Sequence, residues 1–172
     1  MRDLIIIGGS FAGLSAALTV LRMRFNVLMV DSGLRCNQMV TESHGFLAHD
    51  GDNPGELQER ARSQLFKYPT FNFVPGKAIS AKKNGPFFEV TLEDNQRFES
   101  RRILFATGKK DILPEIPGFV DCWGYSIQHC PFCHGYELRD KKLALLDNGP
   151  TLLTICFTKT INVLFFHNRK LK

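Results

Sequence analysis

The sequence predicts an α/β fold, and three observations carry that expectation. The β-branched run Leu4 to Ile7 leads straight into a glycine cluster and then a stretch with helical periodicity. Short apolar runs return at 27–30, 71–74 and 103–106, as strands of a buried parallel sheet do. Between the last two, residues 77–98 switch to a period of two with turn signals.

Residues 4–7 read as a central strand. Residues 11–23 follow as a helix, with Leu14, Ala17, Leu18 and Leu21 along one face. Residues 27–30 form a second strand ending at Asp31, closing a βαβ unit of about 30 residues. Residues 32–53 are rich in Gly, Asn, His and Asp and read as a long irregular stretch, a kind of segment that often carries function. Residues 54–67 read as a helix with Pro54 in its first turn, and 71–74 as a strand. Asn84-Gly85 and Asp94-Asn95 mark the turns of a β-meander across 77–98. Residues 103–106 return to a buried strand, followed by Thr107-Gly108. Pro114 and Pro117-Gly118 mark a linker. The expected organisation is a Rossmann-like domain over 1–113, a linker over 114–118, and part of a second nucleotide-binding-type domain over 119–172. The second contains strands at 142–146 and 162–166.

Composition bounds the function. With 172 residues, 44% hydrophobic and 23% charged, the chain has the balance of a globular protein, and its 15 Phe make apolar burial plentiful. The net charge of +5 comes from basic residues scattered in pairs, apart from a short run at 167–172. Solvated surface explains that pattern, and no nucleic-acid motif accompanies it. Gly8, Gly9 and Gly13 interrupt the N-terminal apolar stretch, which argues against a signal peptide. No run approaches the roughly 18 apolar residues of a membrane span. Five cysteines, only two of them close together, do not make a secreted disulfide framework, so the expected compartment is the cytoplasm.

Two motifs carry chemistry. The first is Gly8-Gly9-Ser10-Phe11-Ala12-Gly13. A pyrophosphate needs glycines where the backbone turns tightly and approaches it closely, and the helix that follows offers N–H groups and a positive dipole end. Ser10 stands at the usual second glycine and can still offer its N–H and hydroxyl. Asp31 is placed to accept from ribose hydroxyls. The bland alternative is a tight strand–helix turn with no ligand.

The second motif is Cys130-Pro131-Phe132-Cys133-His134-Gly135-Tyr136-Glu137. Two thiols at this spacing can close and reopen a small disulfide. Pro131 suits the first turn of a helix, whose N-terminal end favours a thiolate. His134 can exchange a proton with a thiol near neutral pH, and His129 flanks the other side. Zinc is the competing reading, but it lacks a fourth ligand unless Cys122 or Cys156 supplies one. The sequence assigns no metal site. Cys36, Cys122 and Cys156 read as ordinary small apolar residues, with Cys36 in the long loop.

These segments, together with 35–37 (RCN), 43–47 (SHGFL), 104–108 (LFATG) and 113–118 (LPEIPG), resemble the thioredoxin-reductase-like flavoproteins with a Cys-Pro-aromatic-Cys-His-Gly-Tyr-Glu motif. The resemblance runs from Met1 to about Leu146. It implies FAD, with its pyrophosphate at Gly8, Gly9, Ser10, Phe11, Ala12 and Gly13 and its ribose at Asp31. It places Asn37, His44 and Gly45 along the flavin side of the long loop, Ala78 near the adenine, and Ala106, Thr107 and Gly108 behind the cofactor. In the family the dithiol lies in a second, NADPH-binding domain that rotates. Cys133 would be the sulfur nearer the flavin, and Cys130 the one that attacks a substrate disulfide. The implied partners are a thioredoxin-like protein or a small-molecule disulfide or dithiol, and the implied assembly is a homodimer.

The chain also departs from the family pattern. Ser10 replaces a glycine, and His134 stands where thioredoxin reductases proper have an acid. That histidine points to the branch that includes small-molecule dithiol oxidases. Residues 147–157 leave too little chain for a second glycine turn and helix, and the chain has close to half the family's length. Three readings follow: an NADPH- and FAD-dependent disulfide oxidoreductase, a dithiol oxidase using oxygen, or a truncated remnant without turnover.

Overall fold

The computed structural model describes residues 1–36, 38–147 and 162–167; of 145–147 and 162–167 only the backbone is described. The chain divides into two compact units, one of Met1–Gln38 with Gly55–Asp111, the other of Met39–Pro54 with Ile112–Lys172. The α/β fold expected from the sequence is present.

In the first unit, β1 (Leu4–Ile7), β2 (Val27–Asp31), β3 (Phe71–Pro75) and β7 (Ile103–Phe105) form one parallel sheet in the order β3-β2-β1-β7. Helix α1 (Phe11–Arg22) joins β1 to β2, and α2 (Pro54–Leu65) precedes β3. The meander, β4 (Ala78–Asn84), β5 (Phe87–Leu92) and β6 (Arg97–Ser100), is a separate antiparallel sheet.

The run of β-branched residues in β1 and β2 is explained by burial on both faces. Leu4, Ile6, Val27 and Met29 pack on one side with Leu14, Ala17 and Leu21 of α1, and with Leu65 and Phe71. Ile5, Ile7, Leu28 and Val30 pack on the other side with Val90 and Leu92 of the meander. The period of two along each strand thus divides its side chains between a helical layer and a meander layer. β7 is one of the two edge strands of this sheet among the described residues, and Phe105 on it is exposed.

In the second unit, residues 39–54 fold back on themselves. The Ser43 amide donates to the Asp52 carbonyl at 2.8 Å, and the Gly51 amide to the Ser43 carbonyl at 2.7 Å. The short helices α3 (Phe119–Cys122) and α4 (Pro131–His134) follow, and Trp123 stacks between Phe119 and His129. β8 (Lys142–Asp147) and β9 (Asn162–His167) pair in parallel, each one residue longer than expected. The expected shortened nucleotide turn after β8, Cys156 and all of the basic tail but the backbone of His167 lie outside the described residues.

Candidate functional site

The parallel order brings the C-terminal ends of β2, β1 and β7 side by side, where open α/β sheets place their ligands. Backbone hydrogen bonds fix those ends. The Gly8 amide donates to the Val30 carbonyl, the Ala106 amide to the Ile7 carbonyl, and the Gly76 amide to the Asp31 carbonyl, each at 2.8 Å. Gly8 has φ +111°, and a Cβ there would run into the Ala106 carbonyl. A Cβ on Gly13 would run into the Gly8 carbonyl, so α1 can start this close to β1 only with glycine at that position. Ser10 is the N-cap of α1 in extended backbone, and its hydroxyl makes no capping hydrogen bond.

A cleft of about 220 Å³ opens at this point. Of the residues singled out from the sequence, Gly8, Gly9, Ser10, Asp31, Ala78, Ala106, Thr107 and Gly108 line it together. Phe11, Ala12 and Gly13 do not line it; they form the first turn of α1 directly after Ser10. Asn37 lies outside the described residues. His44 and Gly45 belong to the second unit.

Sequence reasoning missed three cationic side chains that line this cleft and one glutamine that bonds two of its lining residues. Arg35, Lys77 and Lys109 line it and give it cationic character. Lys77 is also tied to Glu93 at 3.2 Å. Gln58, buried on α2, donates from Nε2 to the Gly9 carbonyl at 2.8 Å and accepts from Arg35 Nη1 at 3.2 Å. No local motif announces a contact between residues 9 and 58. Cys36, read as an ordinary apolar cysteine, is instead exposed and lines the cleft, while Cys122 is half-buried. Position 36 lies in the loop after β2, outside both core clusters.

In the second unit Cys130 and Cys133 form a disulfide with their Cα atoms 5.4 Å apart. Cys130 is the N-cap of α4, Pro131 is in its first turn, and the Cys133 amide donates to Cys130 Sγ at 3.3 Å. α4 is a single turn, so the helix-end field invoked from the sequence is small, and that one amide contact is its local remnant. Both sulfur-bearing residues are half-buried, whereas Phe132 and Tyr136 are exposed beside them.

Histidine chemistry surrounds the disulfide helix. His134 has its Nδ1 buried with no hydrogen-bond partner among the described residues. Its pKa is held below the ordinary value of 6.5, first by burial, then by the charges of His44 and His129, with Glu137 acting in the opposite direction. His44 stands 3.7 Å from each of Glu42, Asp50 and Glu137. The Gly45 amide donates to Asp50 Oδ1 at 2.8 Å, which holds that carboxylate beside His44. Among the described residues no group of three or more His, Cys, Asp or Glu side chains is arranged to hold a metal. No helix among them is long and apolar enough to cross a membrane.

Comparison with known proteins gives a consistent picture. Residues 2–157 match the family described as pyridine nucleotide-disulphide oxidoreductase. Thioredoxin reductase tcpT of Claviceps purpurea is 37% identical over 151 residues, covering 86% of this chain and 47% of the relative. Thioredoxin reductase of Helicobacter pylori is 29% identical over 160 residues, covering 88% and 50%. Among solved structures, an oxidoreductase from Agrobacterium tumefaciens superposes with a TM-score of 0.92 at 41% identity, covering 99% of this chain and 59% of that one. A thioredoxin reductase TrxB from Bacillus anthracis gives 0.88 at 28% identity, covering 97% and 59%. The chain thus spans about half the length of the curated relatives it matches.

Proposed function

The chain belongs to the pyridine nucleotide-disulphide oxidoreductase family, and from that premise we propose that it serves FAD-dependent thiol–disulfide exchange of the thioredoxin reductase kind. NADPH is the electron source in this reading. A thioredoxin-like protein or a small-molecule disulfide is the acceptor, and a homodimer the working assembly. The observation that carries the proposal is the cleft, which gathers the glycine loop, Asp31, Ala78 and 106–108 around one space in a chain that also holds a Cys130–Cys133 disulfide.

The cleft fits the ADP half of FAD. The Gly8 backbone supplies a cradle that a Cβ would fill, Asp31 supplies a carboxylate for ribose hydroxyls, and Arg35, Lys77 and Lys109 supply positive charge for a pyrophosphate. Bound FAD would supply two-electron transfer between a nicotinamide and sulfur. The residues expected to hold NADPH lie largely outside the described part of the chain.

The chain's own chemistry is at the disulfide. Reduction of the Cys130–Cys133 bond takes two electrons and two protons and leaves two thiols. Cys130 as thiolate then attacks a substrate disulfide, one substrate sulfur leaves as a thiol, and Cys133 attacks Cys130 to release the second and restore the internal disulfide. His134, kept neutral by its burial, is the group suited to take the proton of the attacking thiol and return it to the leaving sulfur. The same neutral histidine favours a second reading, in which a substrate dithiol is oxidised and oxygen accepts its two electrons and two protons as hydrogen peroxide.

The absorbance spectrum of purified protein around the flavin bands tests the proposal. Bound flavin that bleaches anaerobically with NADPH supports the reductase, and bleaching with a dithiol but not with NADPH supports the oxidase. Absence of flavin from protein supplied with FAD overturns both.

A further inference from the structure

Gln58 touches both the glycine loop and the Arg35 guanidinium. Its side chain is only 6% exposed, unusual for a glutamine, and both ends of its amide are used. Nε2 donates to the Gly9 carbonyl, and Oε1 accepts from Arg35 Nη1. Arg35 lines the cleft, and its Nε is buried with no partner among the described residues. A guanidinium carries five donors in a rigid fork that matches phosphate oxygens. With one donor on Gln58 and Nε unanswered, Arg35 keeps buried hydrogen-bonding capacity at the edge of a cationic cleft.

We propose that Gln58 is a positioning residue for phosphate recognition: it locks the Gly9 turn and the Arg35 guanidinium into one unit, and Arg35 reads a phosphate of the bound dinucleotide. This deepens the cofactor reading above and rests on it. An uncompensated buried Nε is costly in the free protein, and a phosphate oxygen would satisfy it. Lys77 and Lys109 line the same cleft but are exposed, and Lys77 is paired with Glu93, so they are weaker rivals for that task.

The test is calorimetric titration of flavin-free full chain with ADP and, separately, with adenosine, at low and high salt. For the unaltered chain, ADP binds more tightly than adenosine, and salt weakens ADP. In Arg35→Met, ADP affinity falls about tenfold, the size of one charge-assisted phosphate contact. Adenosine affinity stays as it was, and the salt dependence of ADP becomes shallower. Gln58→Leu shifts the ADP-to-adenosine ratio in the same direction, and the double variant is no worse for ADP than Gln58→Leu alone, because both changes remove one coupled contact. Where Gln58→Leu fails to fold, Gln58→Asn is too short to span both partners and gives the same shift.

An unchanged ADP-to-adenosine ratio in Arg35→Met, with ADP binding intact, overturns this inference and leaves the cofactor reading standing. Additive losses in the double variant overturn the coupling through Gln58. Failure of the unaltered chain to bind ADP or FAD overturns the inference together with the cofactor reading.

Discussion

His44 and His134 meet edge to face, with ring centroids 6.3 Å apart and planes at 88°. Both belong to the second unit, though they are far apart in sequence. His44 stands 3.7 Å from each of Glu42, Asp50 and Glu137, and charge on His44 disfavours a proton on His134.

The expected consequence is a pH dependence of stability with a defined sign. The folded-state pKa of His134 is depressed, so the unfolded chain takes up a proton at a higher pH than the folded chain does. The stability tied to neutral His134 is therefore complete above the unfolded value of about 6.5 and is lost as pH falls through the folded value. Urea denaturation midpoints at pH 7.5 and 5.5 should differ more for the unaltered chain than for His134→Gln. By NMR titration of the His134 ring, His44→Gln should raise its midpoint and Glu137→Gln should lower it. A His134 midpoint at or above the ordinary histidine value would remove the basis for both.

Gly8→Ala tests the cradle. With φ at +111° and the Ala106 carbonyl against the place of a Cβ, the added methyl forces both a backbone change and a displacement of the strand end beside it. A loss of about 1–3 kcal/mol is expected, with ADP binding lost alongside. Thermal denaturation and ADP titration read the two effects separately. An alanine variant with unchanged melting temperature and affinity would show that the loop has another conformation in solution.

Much of this site is legible in the sequence, and the reason is local. The strand before Gly8, the helix after Ser10 and the acid ending β2 are fixed by burial on both faces of a parallel sheet and by short connections. Nothing local announces Gln58. On α2 it is a polar residue in a helix start that reads as solvated, and only the packing of α2 against the sheet turns it inward. His44 is similar: SHGFL identifies a family segment, but Glu42, Asp50 and Glu137 surround it only because 39–54 folds into the unit that carries α4. The one-turn helix α3 is too short to leave a periodic signature.

Cys133→Ser separates the dithiol from the cleft. The Cys133 amide that contacts Cys130 Sγ is backbone and survives the change, so the local turn should persist. Thiol labelling before and after reduction should rise by two sites in the unaltered chain and by none from this pair in the variant. Any dithiol-dependent bleaching of bound flavin should vanish, while ADP affinity stays the same. Persistence of bleaching would refute the role given to Cys133.

Leu28→Ala probes how the layers of the first unit depend on each other. Leu28 is fully buried on the face of β2 that meets the meander, in a cluster with Val90 and Leu92. Removing its side chain leaves a cavity that a packed sheet cannot collapse around, costing about 2–5 kcal/mol. The cleft depends on the same layer, since Ala78 in the meander and Asp31 at the end of β2 both line it. A cavity between them should loosen the spacing of those two residues, so ADP affinity should fall as well as the denaturation midpoint. Leu21→Ala makes the comparison, because Leu21 on α1 is also buried, in the cluster on the opposite face of the sheet and away from the meander. It should cost similar stability with a smaller loss of ADP affinity. Equal losses of affinity in the two variants would show that the cleft responds to global loosening and not to the seating of the meander.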